Sequence, residues 1–370
     1  MNKLEINREK LKYNIDKIFE NANKKVSNKN NNATKIIAVV KINAYGLDIV
    51  QFSKVLMGNG IDYFAVATPE EAFILRDNGI NCRILLMTPV IDKAILKELI
   101  KKDIIITVGN NYEINLINEL YEELNVRKVN VHIKIDTGFS RYGFLYTELE
   151  KIKRAFDNDK IDIQGMFTHF SKTLDGAWTK IQFNRFMEVV KYLKNNSIEP
   201  EMLHCCNSTA FFKYPDMHLN AVRIGSAWQG RLPNNIGGLK EIGTLKSRIL
   251  ELRTVETGSN VSYTNKYKTK RKSILATIPL GYLDGINRTR ERDTFSKIDN
   301  LKASLKELKK LFKTKRLQVI INEKKCNIVG RLGTHHAIID VTDIECNIGD
   351  TVIIDANPVY IDENIRREYV

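Results

Sequence analysis

No apolar run in this chain approaches the roughly 20 residues that span a bilayer, so a membrane-spanning helix is not expected. The opening stretch "MNKLEINREKLKYNI" lacks the apolar core of a secretory signal, which points to a cytoplasmic protein. Cysteine is sparse. Cys82, Cys205, Cys206, Cys326 and Cys346 are odd in number and scattered, which fits reduced thiols and gives neither a disulfide framework nor metal-ligand spacing. His335 and His336 are adjacent but have no neighbouring ligand residues, so no metal site is expected there. The net charge of +14 invites a nucleic-acid partner. Its lysines, however, spread over helical faces such as "LKELIKK", and no aromatic-interleaved basic stripe or recognition-helix pattern occurs. The positive field would still steer an anionic ligand.

What the chain does have is alternation. Strand-like runs occur at 36–40, 63–67, 83–87, 104–108, 129–135, 163–169, 202–206 and 220–224. Amphipathic stretches such as "TPEEAFILRDNG", "IDKAILKELIKKD" and "TKIQFNRFMEVVKYLKNN" separate most of them, and a helix, "NREKLKYNIDKIFENANKK", precedes the first. Eight strands alternating with helices predict an α/β fold, a (β/α)₈ barrel over residues 1–234. Beyond it the pattern turns β-rich, which predicts a mainly β domain over 235–370 with a charged helical insertion near 291–315. The polar "NKNNNA" at 28–33 reads as a loop.

In such a barrel the chemistry gathers at the carboxyl ends of the strands. The first run, "IIAVV", leads directly into Lys41, with Tyr45 close behind. The fifth carries Lys134 and leads to Arg141; the sixth ends in His169. The seventh contains His204 and leads to Ser208; the eighth carries Arg223, followed by Gly225 and Ser226. The last two loops occupy the usual phosphate-binding place of the fold, and a hydroxyl beside bare turn amides suits a phosphate. A rim lysine, a phosphate nest and an inward arginine together suggest pyridoxal phosphate held by Lys41.

The segments "AVVKINAYG", "KIDTGFSRYGF", "FTHF", "HCCNSTA", "AVRIGSAWQG", "NVSYTNKY", "IPLGYLDG" and "IVGRLG" resemble, in order, the motifs of the bacterial alanine racemase family. The resemblance spans nearly the whole chain. It implies a pyridoxal-phosphate enzyme in which Lys41 carries the cofactor and acts as one base, while Tyr263, from the partner subunit of a homodimer, acts as the other. It further implies that Tyr45, Ser208, Gly225 and Ser226 hold the phosphate and that Arg223 faces the pyridine nitrogen. Arg141 matches the family's arginine near the cofactor's phenolic oxygen and the substrate carboxylate. Lys134 matches a lysine that is carbamylated in many members. His169 and His204 match histidines that support these contacts, and Tyr282 matches a tyrosine at the substrate entrance. Two bases flanking one cofactor plane are what inversion at a carbon requires. D-alanine so made would serve peptidoglycan synthesis.

The chain departs from the family in three places. Thr334 and His335 stand where the family has Met-Asp near the substrate. The tail leaves the late phosphate-binding tyrosine without a clear counterpart, Tyr360 being the candidate. "AYGLD" lacks the usual histidine after its glycine. The entrance change leaves a racemase of serine or of a basic amino acid as the alternative. A decarboxylase on the same scaffold fits less well, because its glycine-rich phosphate loop and late Cys-Glu-Ser segment are missing. A non-enzymatic cofactor carrier would not need the residues after the barrel.

Overall fold

A computed structural model of the chain describes residues 2–24, 34–124, 126–288, 304 and 317–370. The polar loop at 28–33 and, apart from residue 304, the charged stretch at 291–315 lie outside the described residues. The chain divides into two compact units, Glu9–Ile242 and Met1–Arg8 with Gly243–Val370.

The strands are β1 (Lys3–Ile6), β2 (Lys35–Val39), β3 (Tyr63–Val66), β4 (Arg83–Leu86), β5 (Ile105–Val108), β6 (Val129–Asp136), β7 (Phe144–Leu145), β8 (Ile161–Phe167), β9 (Leu203–His204) and β10 (Ala221–Ile224). Eight of them pair in parallel in the order β5-β4-β3-β2-β10-β9-β8-β6, and β5 pairs with β6 to close the barrel. The short β7 pairs in parallel with the end of β6. These strands are covered on both faces, so continuous apolar runs form them; β3, β5 and β10 are buried at every position.

Inward residues recur every second position. Ile37, Val39, Tyr63, Ala65, Leu85, Ile105, Met202 and Ala221 form one cluster. Further along the same alternation the rows turn polar: Lys41 follows Ile37 and Val39, and Arg223 follows Ala221. The outer helices start at side-chain caps, Asp48, Thr68, Asp92, Asn110, Asp175 and Asn207, each accepting from backbone N–H groups of the first turn.

The second unit is one sheet, ordered β12-β13-β16-β15-β14-β17-β11-β1-β18. Its remaining strands are β11 (Gly243–Arg248), β12 (Glu251–Val255), β13 (Ser273–Ile278), β14 (Gln318–Ile321), β15 (Lys324–Val329), β16 (Ala337–Asp340), β17 (Thr351–Ile354) and β18 (Arg366–Tyr369). The N-terminal strand belongs to this unit because β1 pairs antiparallel with β11 and parallel with β18.

Asn14 is fully buried in the helix Arg8–Asn23. Its amide donates to the carbonyls of Trp228 (3.1 Å) and Lys240 (2.7 Å), and its carbonyl accepts from Lys240 N (2.8 Å). The side chain thereby ties the opening helix to the last segment of the barrel unit. Replacing Asn14 by Leu strands these backbone groups, and a loss of about 2–4 kcal/mol is expected in chemical denaturation; an unchanged unfolding midpoint would refute the tie.

Candidate active site

Lys41 leaves β2 into a turn whose next four residues are all left-handed: Ile42, Asn43, Ala44 and Tyr45 have φ of 55°, 49°, 54° and 56°. None is glycine, and each such residue costs about 1–2 kcal/mol. Neighbours hold the turn. Ala44 N donates to Val40 O (2.8 Å), and Ile49 N to the Asn43 side chain (2.7 Å). Glu71 Oε1 accepts from Ile42 N (2.5 Å), while its other oxygen accepts from Ala67 N (2.9 Å) and Thr68 N (3.3 Å). Gln229 donates to Tyr45 O. The Lys41 amine itself has no hydrogen-bond partner among the described residues. Burial lowers its pKa, the nearby Arg141 charge lowers it further, and Glu71 opposes both.

The Tyr45 hydroxyl lies against Gly225, where an added Cβ would be 2.2 Å from it, so only glycine fits there. Burial and then Glu71 push this phenol up to about 12. Ser208 opens the helix Ser208–Lys213, and its Oγ accepts from Gly225 N (2.9 Å) and Ala227 N (3.3 Å). Ser226 begins the next turn, Ser226–Gln229. Tyr45, Ser208, Gly225 and Ser226 thus come together.

Arg223 is 2% exposed. Its Nη1 donates to His204 Nδ1 (2.8 Å) and His204 O (3.0 Å). Its Nη2 reaches Thr168 O (2.7 Å), Cys205 O (3.2 Å) and His169 Nδ1 (3.2 Å). Burial lowers its pKa to about 10, which leaves it charged at neutral pH. That charge, added to burial, holds His169 and His204 well below their ordinary value. His169 also feels Lys134, Arg141 and Lys41, so four cations converge on one rim.

On β6, His132, Lys134 and Asp136 share the inward parity. The Lys134 amine donates to Ile135 O (2.8 Å) and sits 5.3 Å from the Phe167 ring centre. Burial, then Arg223, brings its pKa down to about 7. Asp136 is pushed up by burial but more strongly down by backbone N–H donors, including Gly138 (2.7 Å) and Phe139 (2.9 Å). It also accepts from Arg141 N (3.2 Å), which shapes the loop that carries that guanidinium. Arg141 stacks between Phe139 and Tyr142, 4.5 Å and 4.7 Å from their ring centres. Cys205 and Cys206 are buried with both sulfurs on Met217 O, and burial raises the Cys206 thiol, which suits packing.

The other candidates belong to the β unit. Tyr263 is 66% exposed in the turn Tyr263–Asn265. Tyr282 and Leu283 bond through backbone N–H to Gly333 O (3.0 Å) and Thr334 O (3.1 Å), which sets Tyr282 beside Thr334 and His335. His335 Nδ1 is 3.3 Å from both carboxylate oxygens of Asp284. Tyr360 lies in the turn Pro358–Tyr360, its carbonyl packed against Gly285.

Sequence reading missed Glu71, His132 and Tyr63. The Thr68–Glu71 capping box was the visible sign of the first, although the bond to Ile42 lies 29 residues away in sequence. His132 was marked only by being polar on a buried strand, two residues before Lys134.

Burial lowers the pKa of His132 to about 3 and also holds His169, His204 and His218 low. Below about pH 6.5 the unfolded chain binds protons on these rings that the folded chain refuses. Unfolding free energies from urea titrations are therefore expected to fall from about pH 7 to pH 5, by up to about 1.4 kcal/mol per pH unit for each ring. Lys134 acts at higher pH. As a free amine, between about pH 7 and 10.5 its unfolded form keeps a proton that the folded one has shed, so it adds stability as pH rises. A flat profile from pH 7 to 5 would contradict the neutral buried rings.

Residues 6–233 match the alanine racemase N-terminal domain, and residues 242–366 the alanine racemase C-terminal domain. The chain is 33% identical over 346 residues to alanine racemase of Methanococcus maripaludis, covering 91% of this chain and 86% of the relative. It is 34% identical over 361 residues to that of Clostridium kluyveri, covering 95% and 83%. Among solved structures it is similar to alanine racemase of Clostridium difficile 630, with a TM-score of 0.85 at 28% identity, covering 100% of this chain and 95% of that one. With both domains matched in order across the barrel and the β unit, the chain belongs to the alanine racemase family.

Proposed function

We propose that this protein interconverts L- and D-alanine with bound pyridoxal 5'-phosphate. The observation that carries the reading is Lys41: an amine without a hydrogen-bond partner among the described residues, with a lowered pKa, on a rim shared with Arg141 and Arg223. The residues fit the cofactor. Lys41 would hold its aldehyde carbon. Ser208, Ser226, the Gly225 turn and the Tyr45 hydroxyl, gathered where Ser208 Oγ accepts from the Gly225 and Ala227 amides, would hold its phosphate. Arg223 would face its ring nitrogen, backed by His204 and His169. When bound, the cofactor supplies the electron withdrawal that makes the substrate Cα–H acidic.

The protein groups supply the proton traffic. Lys41 removes or returns the Cα proton on one face. Tyr263 of the partner subunit does so on the other, and its exposure in its own unit suits a role outside that unit. Arg141 pairs with the substrate carboxylate. Arg223, still charged at neutral pH, cannot accept a proton, so it leaves the ring nitrogen facing a permanent donor. The protein acts as a homodimer in the cytoplasm, with Tyr282, Thr334 and His335 at the substrate entrance.

Lys134 is carbamylated in this reading. Its pKa of about 7 leaves the free amine abundant at neutral pH. The nitrogen bonds the carbon of CO₂ and releases one proton, and the resulting anion lies within the field of Arg223 and Arg141. Labelled bicarbonate should give a carbamate carbon resonance that disappears in K134A; no such resonance in the wild type would remove this step.

Incubation of purified protein and pyridoxal phosphate with L-alanine, followed by chiral chromatography, should give the D enantiomer until the two are equal. K41A should slow this by about 10²–10⁴-fold. In Y263F racemisation should fall comparably, while one enantiomer alone keeps exchanging its Cα hydrogen with deuterated water. Exchange of both, or of neither, would count against two opposed bases. The His335–Asp284 pair favours a second reading in which serine or a basic amino acid turns over faster than alanine; the same assay across the L-amino acids separates the two.

A further inference from the structure

We infer that His132 and Tyr63 are positioning residues: they complete a one-way hydrogen-bond chain, from Arg223 to His204 to His132 to Tyr63, that fixes the ring tautomers and with them the aim of Arg223. The contacts are Arg223 Nη1 to His204 Nδ1 at 2.8 Å, His204 Nε2 to His132 Nδ1 at 2.9 Å, and His132 Nε2 to Tyr63 Oη at 2.9 Å.

Only one assignment of hydrogens satisfies all three contacts. A guanidinium donates and never accepts. His204 Nδ1 therefore offers its lone pair, and a neutral ring then carries its hydrogen on Nε2. That N–H points at His132 Nδ1, which must accept, so the His132 hydrogen also sits on Nε2 and goes to the Tyr63 oxygen. Reversing the chain would place two donors face to face at Arg223, and so would protonating His204.

The rings are not free to turn away from this order. Both histidines are 0% exposed and Tyr63 is 3% exposed. Phe167 stacks on His204 with ring centres 5.0 Å apart and planes 7° from parallel. Gly165 makes room for His132, since a Cβ there would lie 2.6 Å from its Cε1. The chain locks one end of the guanidinium, and Thr168 O with Cys205 O locks the other. Among the described residues these bonds leave the Nε–H of Arg223 unengaged, so its direction follows from the chain.

The tautomers can be tested without any cofactor; the consequence for binding rests on the function proposed above. Long-range ¹H–¹⁵N spectra of histidine-labelled full-length protein, at about pH 7 and about pH 5, should show His204 and His132 with hydrogen on Nε2 and none on Nδ1 at both values. A hydrogen on Nδ1 of His204, or an imidazolium, overturns the chain. H132L, which offers His204 no acceptor, should bind pyridoxal phosphate about tenfold more weakly in an absorbance titration. H132N, whose carbonyl can accept in place of Nδ1, should stay within about threefold of the wild type. Equal affinity of folded H132L and wild type, or loss in both variants alike, overturns the positioning role. If the wild type binds no pyridoxal phosphate, the proposed function fails while the tautomer result stands.

Discussion

A guanidinium sealed inside a barrel must find partners for its N–H groups, and the interior of this protein follows from that demand. Among the described residues Arg223 has no carboxylate hydrogen-bond partner. Three carbonyl oxygens and two imidazole nitrogens satisfy it instead. A buried charge without a counter-ion is tolerable only when its surroundings present well-oriented acceptors. That requirement reaches outward: it keeps His169 and His204 neutral, sets which nitrogens carry their hydrogens, and calls for a further acceptor at His132. The cation and the neutral rings are therefore one arrangement.

A second constraint sits across the barrel mouth. Four consecutive left-handed residues after Lys41 would not persist alone, because their summed cost exceeds what a six-residue segment recovers from its own hydrogen bonds. Their hold comes from remote side chains, Glu71 on Ile42 N and Gln229 on Tyr45 O. Strain kept in place by surroundings is characteristic of sites whose geometry matters. Here it turns the chain sharply after Lys41 and brings the Tyr45 hydroxyl against Gly225, so one turn sets the positions of both Lys41 and Tyr45.

The barrel was legible because parallel strands covered on both faces must be apolar throughout. Eight such runs leave little choice of fold, and period two then places Lys41 in the row of Ile37 and Val39. The rim residues were legible because a polar side chain at the end of a buried run has few reasons to be there. Other features stayed hidden for equally physical reasons. The strand Lys3–Ile6 joins a sheet whose other strands begin 237 residues later, and nothing local announces that pairing. The left-handed turn follows from tertiary contacts and has no propensity signal beyond its final glycine. His132 and Tyr63 were masked by apolar neighbours, and what they do depends on a hydrogen-bond direction that sequence cannot express.

The charge balance of the rim explains why such a costly arrangement suits its chemistry. Lys41, Lys134, Arg141 and Arg223 all act on His169. The two nearby carboxylates offset them in part: Glu71 raises Lys41 and Asp136 raises Lys134, against the larger lowering by burial and the arginines, while backbone donors hold both acids in place. These two acids shape loops and oppose the cations, but the four cations acting on His169 outnumber them. The rim thus carries a standing positive field before any ligand arrives, and it rewards anions with fixed geometry such as a phosphate, a carboxylate or a carbamate. Each anion bound would raise the lysine pKa values that the field now lowers. The first to bind therefore changes the proton affinity of Lys41 and Lys134, and the protein's acid–base chemistry is set jointly by its own residues and by what they hold.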